Sequence, residues 1–181
     1  MSDNRPVRQP SAVDRVAEDW VTTLVDLDPT VATYIGAPGR TDGYGDTSPA
    51  GAEALADAAR AARRTLDATD AVDAVDRVTK TDLGAELDLV VESHDRRLHL
   101  RDLNVIQSPA QELRDVLDLM ATATTDDWQD VAGRLHALPE ALEGHRETLL
   151  QGTREQVTPA RRQVAPVAGH AAPDGRSEAY T

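Results

Sequence analysis

LHLRDLNVIQSPAQELRDVLDLMATATTDDWQDVAGRLHALPEALEGHRETLL, residues 98–150, is the stretch whose reading decides the fold. Within it Ser108-Pro109-Ala110-Gln111 reads as a capping box with proline at the first helical position, a pattern that satisfies the orphan amides of a starting helix. Leu113, Val116, Leu117 and Met120 then supply the buried face of that helix. Thr125 is placed to cap the next one, with Asp126 and Asp127 in the turn where the helix dipole favours negative charge. From there Trp128, Val131, Leu135, Leu138, Leu142, His145 and Leu149 recur at spacings of 3, 4, 3, 4, 3 and 4, a heptad-like seam expected to pack against a neighbour. Pro139 lies inside the seam and predicts a kink or a helix–turn–helix there.

The chain on either side reads the same way. Residues 1–10 are polar and proline-containing, a flexible tail. Ser11 is a candidate N-cap with Asp14 three positions on, and Val13, Val16, Trp20, Leu24 and Leu27 fall on one helical face. Asp28-Pro29 breaks that helix and opens a short one that Gly36 ends. Ser48-Pro49 starts an alanine-rich helix to about Leu66, whose small residues permit close approach of a partner. Residues 75–100 carry the longest helical pattern, with Val75, Val78, Leu83, Leu87, Val90, Val91, His94 and Leu98 on one face. Glu92 and Arg96 make a favourable i,i+4 pair, and Gly84 weakens the helix by about 1 kcal/mol relative to alanine. A last helix is expected from 159 to about 168, and residues 169–181 read as a frayed tail. No segment alternates like a strand. The fold class is all-α: one domain over 11–168, an antiparallel multi-helix bundle of about six to eight helices, with Trp20 and Trp128 as its large core anchors.

Composition narrows the function classes. The chain has 181 residues, 40% of them hydrophobic, with no Phe and no Cys. Its core must therefore be aliphatic, and disulfide or thiolate chemistry is excluded. A net charge of −13 opposes binding to nucleic acid or to an anionic membrane. Arg60, Arg63 and Arg64, and Arg161 with Arg162, read as solvated or ion-paired faces. No apolar run is long enough to span a bilayer and no leader precedes the first helix, so a soluble, cytoplasmic protein is expected. Lys80 is the sole lysine, and the richness in Arg, Ala, Val and Asp fits a GC-rich source such as an actinobacterium.

No constellation assembles a reaction. Residues 36–47 hold four glycines but lack the Lys-Ser/Thr of a phosphate loop and the strand of a dinucleotide site, so they read as a connecting loop. His94 and His99 are five apart and share no helical face, and no His-Glu-x-x-His occurs. His94 and His145 lie on apolar stripes, where a satisfied core histidine is the expectation. Glu140, Glu143 and Glu147 line one face without the Glu-x-x-His partner that a di-metal bundle needs. Ser93-His94-Asp95 are neighbours on a helix and point apart. Catalytic, cofactor-binding and metal residues are accordingly expected to be none.

Several stretches in order carry a resemblance: DLDPTVATYIG after the Trp20 helix, DGYGDTSPAG, LRDLNVIQSPAQELRDVLDLM, DDWQDVAGRLHALPEALEGHRETLLQG and TPARRQV. Over residues 11–164 the chain resembles the N-terminal part of the bacterial domain-of-unknown-function 885 family. The resemblance implies a mostly helical protein related to zinc metallopeptidases. Their presumed metal site is a His-Glu-x-x-x-Gly-His-type helix downstream of the region matched here, in members much longer than this chain. No family catalytic residue maps onto a position of this sequence, and zinc is implied only for the longer members. The expectation is a non-catalytic scaffold or substrate-cleft region, truncated relative to the family and partnered by itself or by the missing C-terminal region. The alternative is a free-standing interaction module using an apolar face. A third reading is a small enzyme built on Glu140, Glu143 and Glu147.

Overall fold

The computed structural model describes residues 8–171; of the expected tails, 1–10 and 169–181, residues 1–7 and 172–181 lie outside them, while 169–171 continue the last helix. Seven α-helices follow in order: α1 (Ala12–Leu27), α2 (Pro29–Ile35), α3 (Pro49–Ala68), α4 (Ala74–Asp95), α5 (Pro109–Asp115), α6 (Thr125–Arg154) and α7 (Arg161–Ala171). Two 3-10 turns, Leu98–Arg101 and Val116–Leu119, join them. There is no strand among the described residues, and none of their helices is long and apolar enough to cross a membrane. The architecture is the all-α bundle that the periodicity predicts.

Helix starts follow local chemistry. Ser11 and Asp14 form a reciprocal capping box at α1, and Asp28 ends α1 and caps α2 through its bond from Thr30 N. Two expected caps are shifted. Thr124, not Thr125, caps α6: its hydroxyl accepts from Asp127 N while Asp127 accepts from Thr124 N. The box at Ser108 does not form, because its hydroxyl turns to Asn104 O at 3.1 Å and to the Gln111 side chain.

The apolar core joins α1, α3 and α4. Val13, Val16, Trp20, Ala59, Leu66 and Leu87 are buried together, with Leu83, Val90 and Val91 packed at its edge. Helices α3 and α4 run antiparallel, as the pairing of Arg60 with Asp95 and Arg63 with Asp88 fixes their register. Alanine and glycine let them approach closely: Ala56 and Ala59 are fully buried, and Gly84 faces Arg63 and Leu66. Gly84 is thus a packing position as well as a weak helix former. At the start of α4 the face differs from the sequence reading. Val75 and Val78 are exposed while Asp76 is buried, because Asp76 accepts from Ser11 Oγ at 2.7 Å and Val72 N at 2.9 Å and pairs with Arg8. Arg8 also pairs with Asp14 and Asp73, so the polar lead of the chain is clamped from that residue onward.

Helix α6 meets the seam expectation only in part: His145 is buried and Val131, Leu138 and Leu149 are half-buried, but the rest of the seam faces out. Trp128 is 57% exposed, and Leu135 and Leu142 are exposed beside it. Its buried residues are Arg134, Ala141, His145, Thr148 and Gly152. Three of these precede the expected seam by one position, a rotation of about 100°. Pro139 breaks nothing, since α6 continues through it from Thr125 to Arg154. Proline removes one helix donor, whose acceptor would be the Leu135 carbonyl. Both residues lie on the exposed face, where water replaces the lost bond.

Candidate functional site

The polar face of α6 is explained by what lies on it. Residues 36–47 cross it as irregular backbone whose carbonyls need donors. Arg134 Nε donates to Gly43 O at 3.1 Å and Arg134 Nη1 to Thr33 Oγ1 at 3.1 Å. Thr148 Oγ1 donates to Thr47 O at 2.9 Å, and Thr47 Oγ1 to Ala141 O at 2.5 Å. Two glycines set the approach distance: a Cβ at Gly144 would meet Thr47 Oγ1 at 2.7 Å, and one at Gly152 would meet the Leu100 carbonyl at 2.3 Å.

Arg134 is the centre of this region and was not singled out by sequence reasoning. It is fully buried, its guanidinium carbon stands 5.7 Å from the centre of the Tyr44 ring, and Tyr44 Oη donates to Leu113 O at 2.6 Å. One side chain pair thus ties α6 to α2, the loop and α5. Burial pulls the Arg134 pKa below its ordinary value, opposed by Tyr44, Asp28, Asp42 and Asp130; arginine still carries its charge at neutral pH. Burial also pushes Tyr44 up, with Arg134 pulling the other way. Arg134 Nη2 has no hydrogen-bond partner. In the sequence Arg134 stands between Gly133 and Leu135 on a register shared with Asp130, Ala141, His145 and Thr148, and nothing local marks it as buried. Clefts of about 270 Å³ and 130 Å³ flank Tyr44, the first bounded by Arg40, Asp46 and Glu140 and the second by Asp28, Tyr34 and Glu112. Neither contains a nucleophile paired with a base.

A larger cleft of about 520 Å³ opens where α3, α4 and α6 meet, bounded by Glu53, His94, Arg97, His99, Gln151 and Glu155. Here the structure overturns the separation of His94 and His99. Helix α4 stops at Asp95, Arg97 takes φ 58°, and the chain turns back so that the two rings stack 5.0 Å apart with planes 5° from parallel. His94 Nε2 lies 3.3 Å from Glu53 Oε2. Parallel stacking is the wrong geometry for chelation, because imidazole lone pairs lie in the ring plane and parallel planes do not converge on one ion. No group of three or more His, Asp or Glu side chains among the described residues is arranged to hold a metal. The zinc that the resemblance implies for the longer members thus finds no fitting set among the described residues.

The remaining candidates are dispersed. His145 is buried, as its place on the apolar stripe predicts, with no protein partner at Nε2, and burial lowers its pKa. His136 Nδ1 contacts its own helix at Ala132 O, 2.7 Å away. Glu143 is held in a two-pronged pair with Arg146 at 2.6 and 2.8 Å, which lowers its pKa, and Glu140 and Glu147 are exposed. Arg60 and Arg63 are ion-paired with carboxylates of α3 and α4, as a solvated face would be.

The family described as bacterial protein of unknown function, DUF885, has a model that matches residues 29–173. No curated protein matches the chain.

Proposed function

The chain belongs to the DUF885 family, and on that premise we propose that it is a non-catalytic helical scaffold, one wall of a substrate cleft in a metallopeptidase-like protein. The observation that carries this reading is the outward stripe of α6, where Trp128, Leu135 and Leu142 are exposed on a helix whose inner face is already closed by the loop. Apolar residues at such a spacing are suited to cover by further helices. Among the described residues no three His, Asp or Glu side chains are grouped as a metal site, and His94 and His99 are stacked. The zinc chemistry of the longer members enters this proposal by resemblance, and a cytoplasmic site of action is proposed with it.

Metal analysis of the purified 181-residue chain after exposure to zinc tests it. Less than a tenth of an equivalent is expected, on the order of non-specific binding. One equivalent retained through dialysis would sink the scaffold reading and return attention to His94, His99 and Glu53.

A second reading is favoured by the spacing itself. Trp128, Leu135 and Leu142 lie seven residues apart, so two copies of α6 could pack stripe to stripe in an isologous pair. Mass in solution separates the two readings. A monomer across micromolar to near-millimolar concentration supports the wall, whereas a dimer that Trp128→Glu dissociates supports the module.

A further inference from the structure

We propose that the corner between α4 and the 3-10 turn Leu98–Arg101 is a proton-sensitive joint, which loosens α6 from the α3–α4 hairpin when His94 and His99 both take up a proton. The two rings are stacked at 5.0 Å, and two imidazolium charges at that distance repel. Between them Arg97 sits at φ 58°, a conformation sparsely adopted by residues other than glycine and kept only where the surroundings enforce it. Those surroundings are few. Arg97 N donates to His94 O at 2.7 Å and Leu100 N to Arg97 O at 3.2 Å, and Arg97 Nη1 pairs with Glu155 on α6 at 2.5 Å.

The charges around the pair come from every element packed on it. Helix α3 presents Glu53, 3.3 Å from His94 Nε2, and Arg60, which is engaged by Asp57 and Asp95. The end of α4 presents Asp95, 3.7 Å from His94 Nδ1, the corner presents Arg97, and α6 presents Glu155. Two carboxylates, Glu53 and Asp95, thus stand beside His94. The proton on His99 is opposed, its pKa being lowered by burial first and then by His94, with Arg97 adding to this and Glu155 and Glu53 opposing. Titration is thus coupled, and the stack survives one proton but not two.

The joint has reach because of what the turn touches. The Leu98–Arg101 turn packs on both α4 and α6, Leu100 is buried, and its carbonyl lies against Gly152 so closely that no side chain fits between them. If the corner relaxes, the C-terminal half of α6 loses its seat, while the core around Trp20, Leu66 and Leu87 is untouched.

Hydrogen exchange of the full chain at pH 7.5 and 5.5, corrected for the intrinsic rate, reads this directly. Protection in residues 94–103 and 149–157 is expected to fall by about tenfold or more at the lower pH, well beyond any change at the centres of α1 and α3. His99→Gln should flatten that response, and His145→Gln, which removes the buried histidine of α6, should leave it. Equal protection at both pH values in the unmodified chain, the same fall in His99→Gln, or its loss in His145→Gln would each overturn the joint. Should His99→Gln fail to fold, imidazole titration of the unmodified chain decides: coupled two-step curves at His94 and His99 support the joint, and two independent single-site curves overturn it.

Discussion

Where α3 meets α4, the contact is made by Ala59, Leu66 and Leu87, all fully buried, with charges confined to the rim as Arg60–Asp95 and Arg63–Asp88. Where α6 meets the loop at 36–47, Arg134 and Thr148 donate to the Gly43 and Thr47 carbonyls, Thr47 Oγ1 donates to Ala141 O, and Gly144 leaves room for Thr47. The difference lies in the partner. A helix offers its neighbour side chains, because its own amides and carbonyls are satisfied, so the favourable match is apolar. An irregular loop offers bare carbonyls, so the helix beneath it must supply donors or leave them unpaired at a cost of about 1–3 kcal/mol each. One region is stabilised by area removed from water, the other by stoichiometry of donors and acceptors.

Breaking the apolar region should produce the largest effect. Trp20, 5% exposed, when truncated to alanine is expected to cost about 3–5 kcal/mol in denaturant unfolding, with α6 lost in the same transition. The polar region is tested next by Gly144→Ala, whose Cβ would stand 2.7 Å from Thr47 Oγ1 and 3.0 Å from Ser48 N. A loss of about 1–3 kcal/mol is expected, together with faster exchange at Gly43 and Thr47. If the loop simply drifts away at no cost, its close seating on α6 is not a source of stability.

Acidification sharpens the contrast more gently. His145 is buried on α6 with its pKa lowered by desolvation, and a base so perturbed binds more protons when unfolded. Its contribution is fully present above the ordinary imidazole value of 6.5 and is lost as pH falls from there through the lowered value. Replacing His145 with glutamine should reduce the slope of stability against pH in that window, whereas changes in the α1–α3–α4 core should leave the slope alone. Asp14 and Asp73, held down respectively by the Ser11 amide with Arg8 and by Arg8 with the Asp76 amide, act at lower pH. Their stabilisation is present above the ordinary value of 3.8 and disappears as pH drops through the depressed values. The smallest effect is expected at Trp128: truncation to alanine should change stability by less than about 0.5 kcal/mol. A loss comparable to that at Trp20 would mean the stripe is covered in solution, and the mass measurement would show by what.

How much was legible follows from particular residues. Ser11 with Asp14, Asp28-Pro29 and Ser48-Pro49 mark helix starts through bonds made within three or four residues, so sequence reads them well. Val13, Val16 and Trp20 were read as buried because a helix whose neighbours are helices hides its apolar stripe. Arg134 could not be found that way. Nothing local announces that Gly43 and Thr33, about a hundred residues earlier, deliver a carbonyl and a hydroxyl to it. His94 and His99 were separated by assuming one helix through residue 100, and the left-handed turn at Arg97 brings them back together.

The sequence by itself determined the helical class, the order of the helices, the aliphatic character of the core, and the family, since each rests on period, punctuation or ordered short motifs. Only the tertiary structure decided which side of α6 faces inward. Seven-residue periodicity states that a stripe exists, but burial is a property of two surfaces. Here the second surface is irregular backbone rather than an apolar helix. The face that can donate hydrogen bonds to it, led by Arg134 and Thr148, is therefore turned in, and Trp128, Leu135 and Leu142 are turned out.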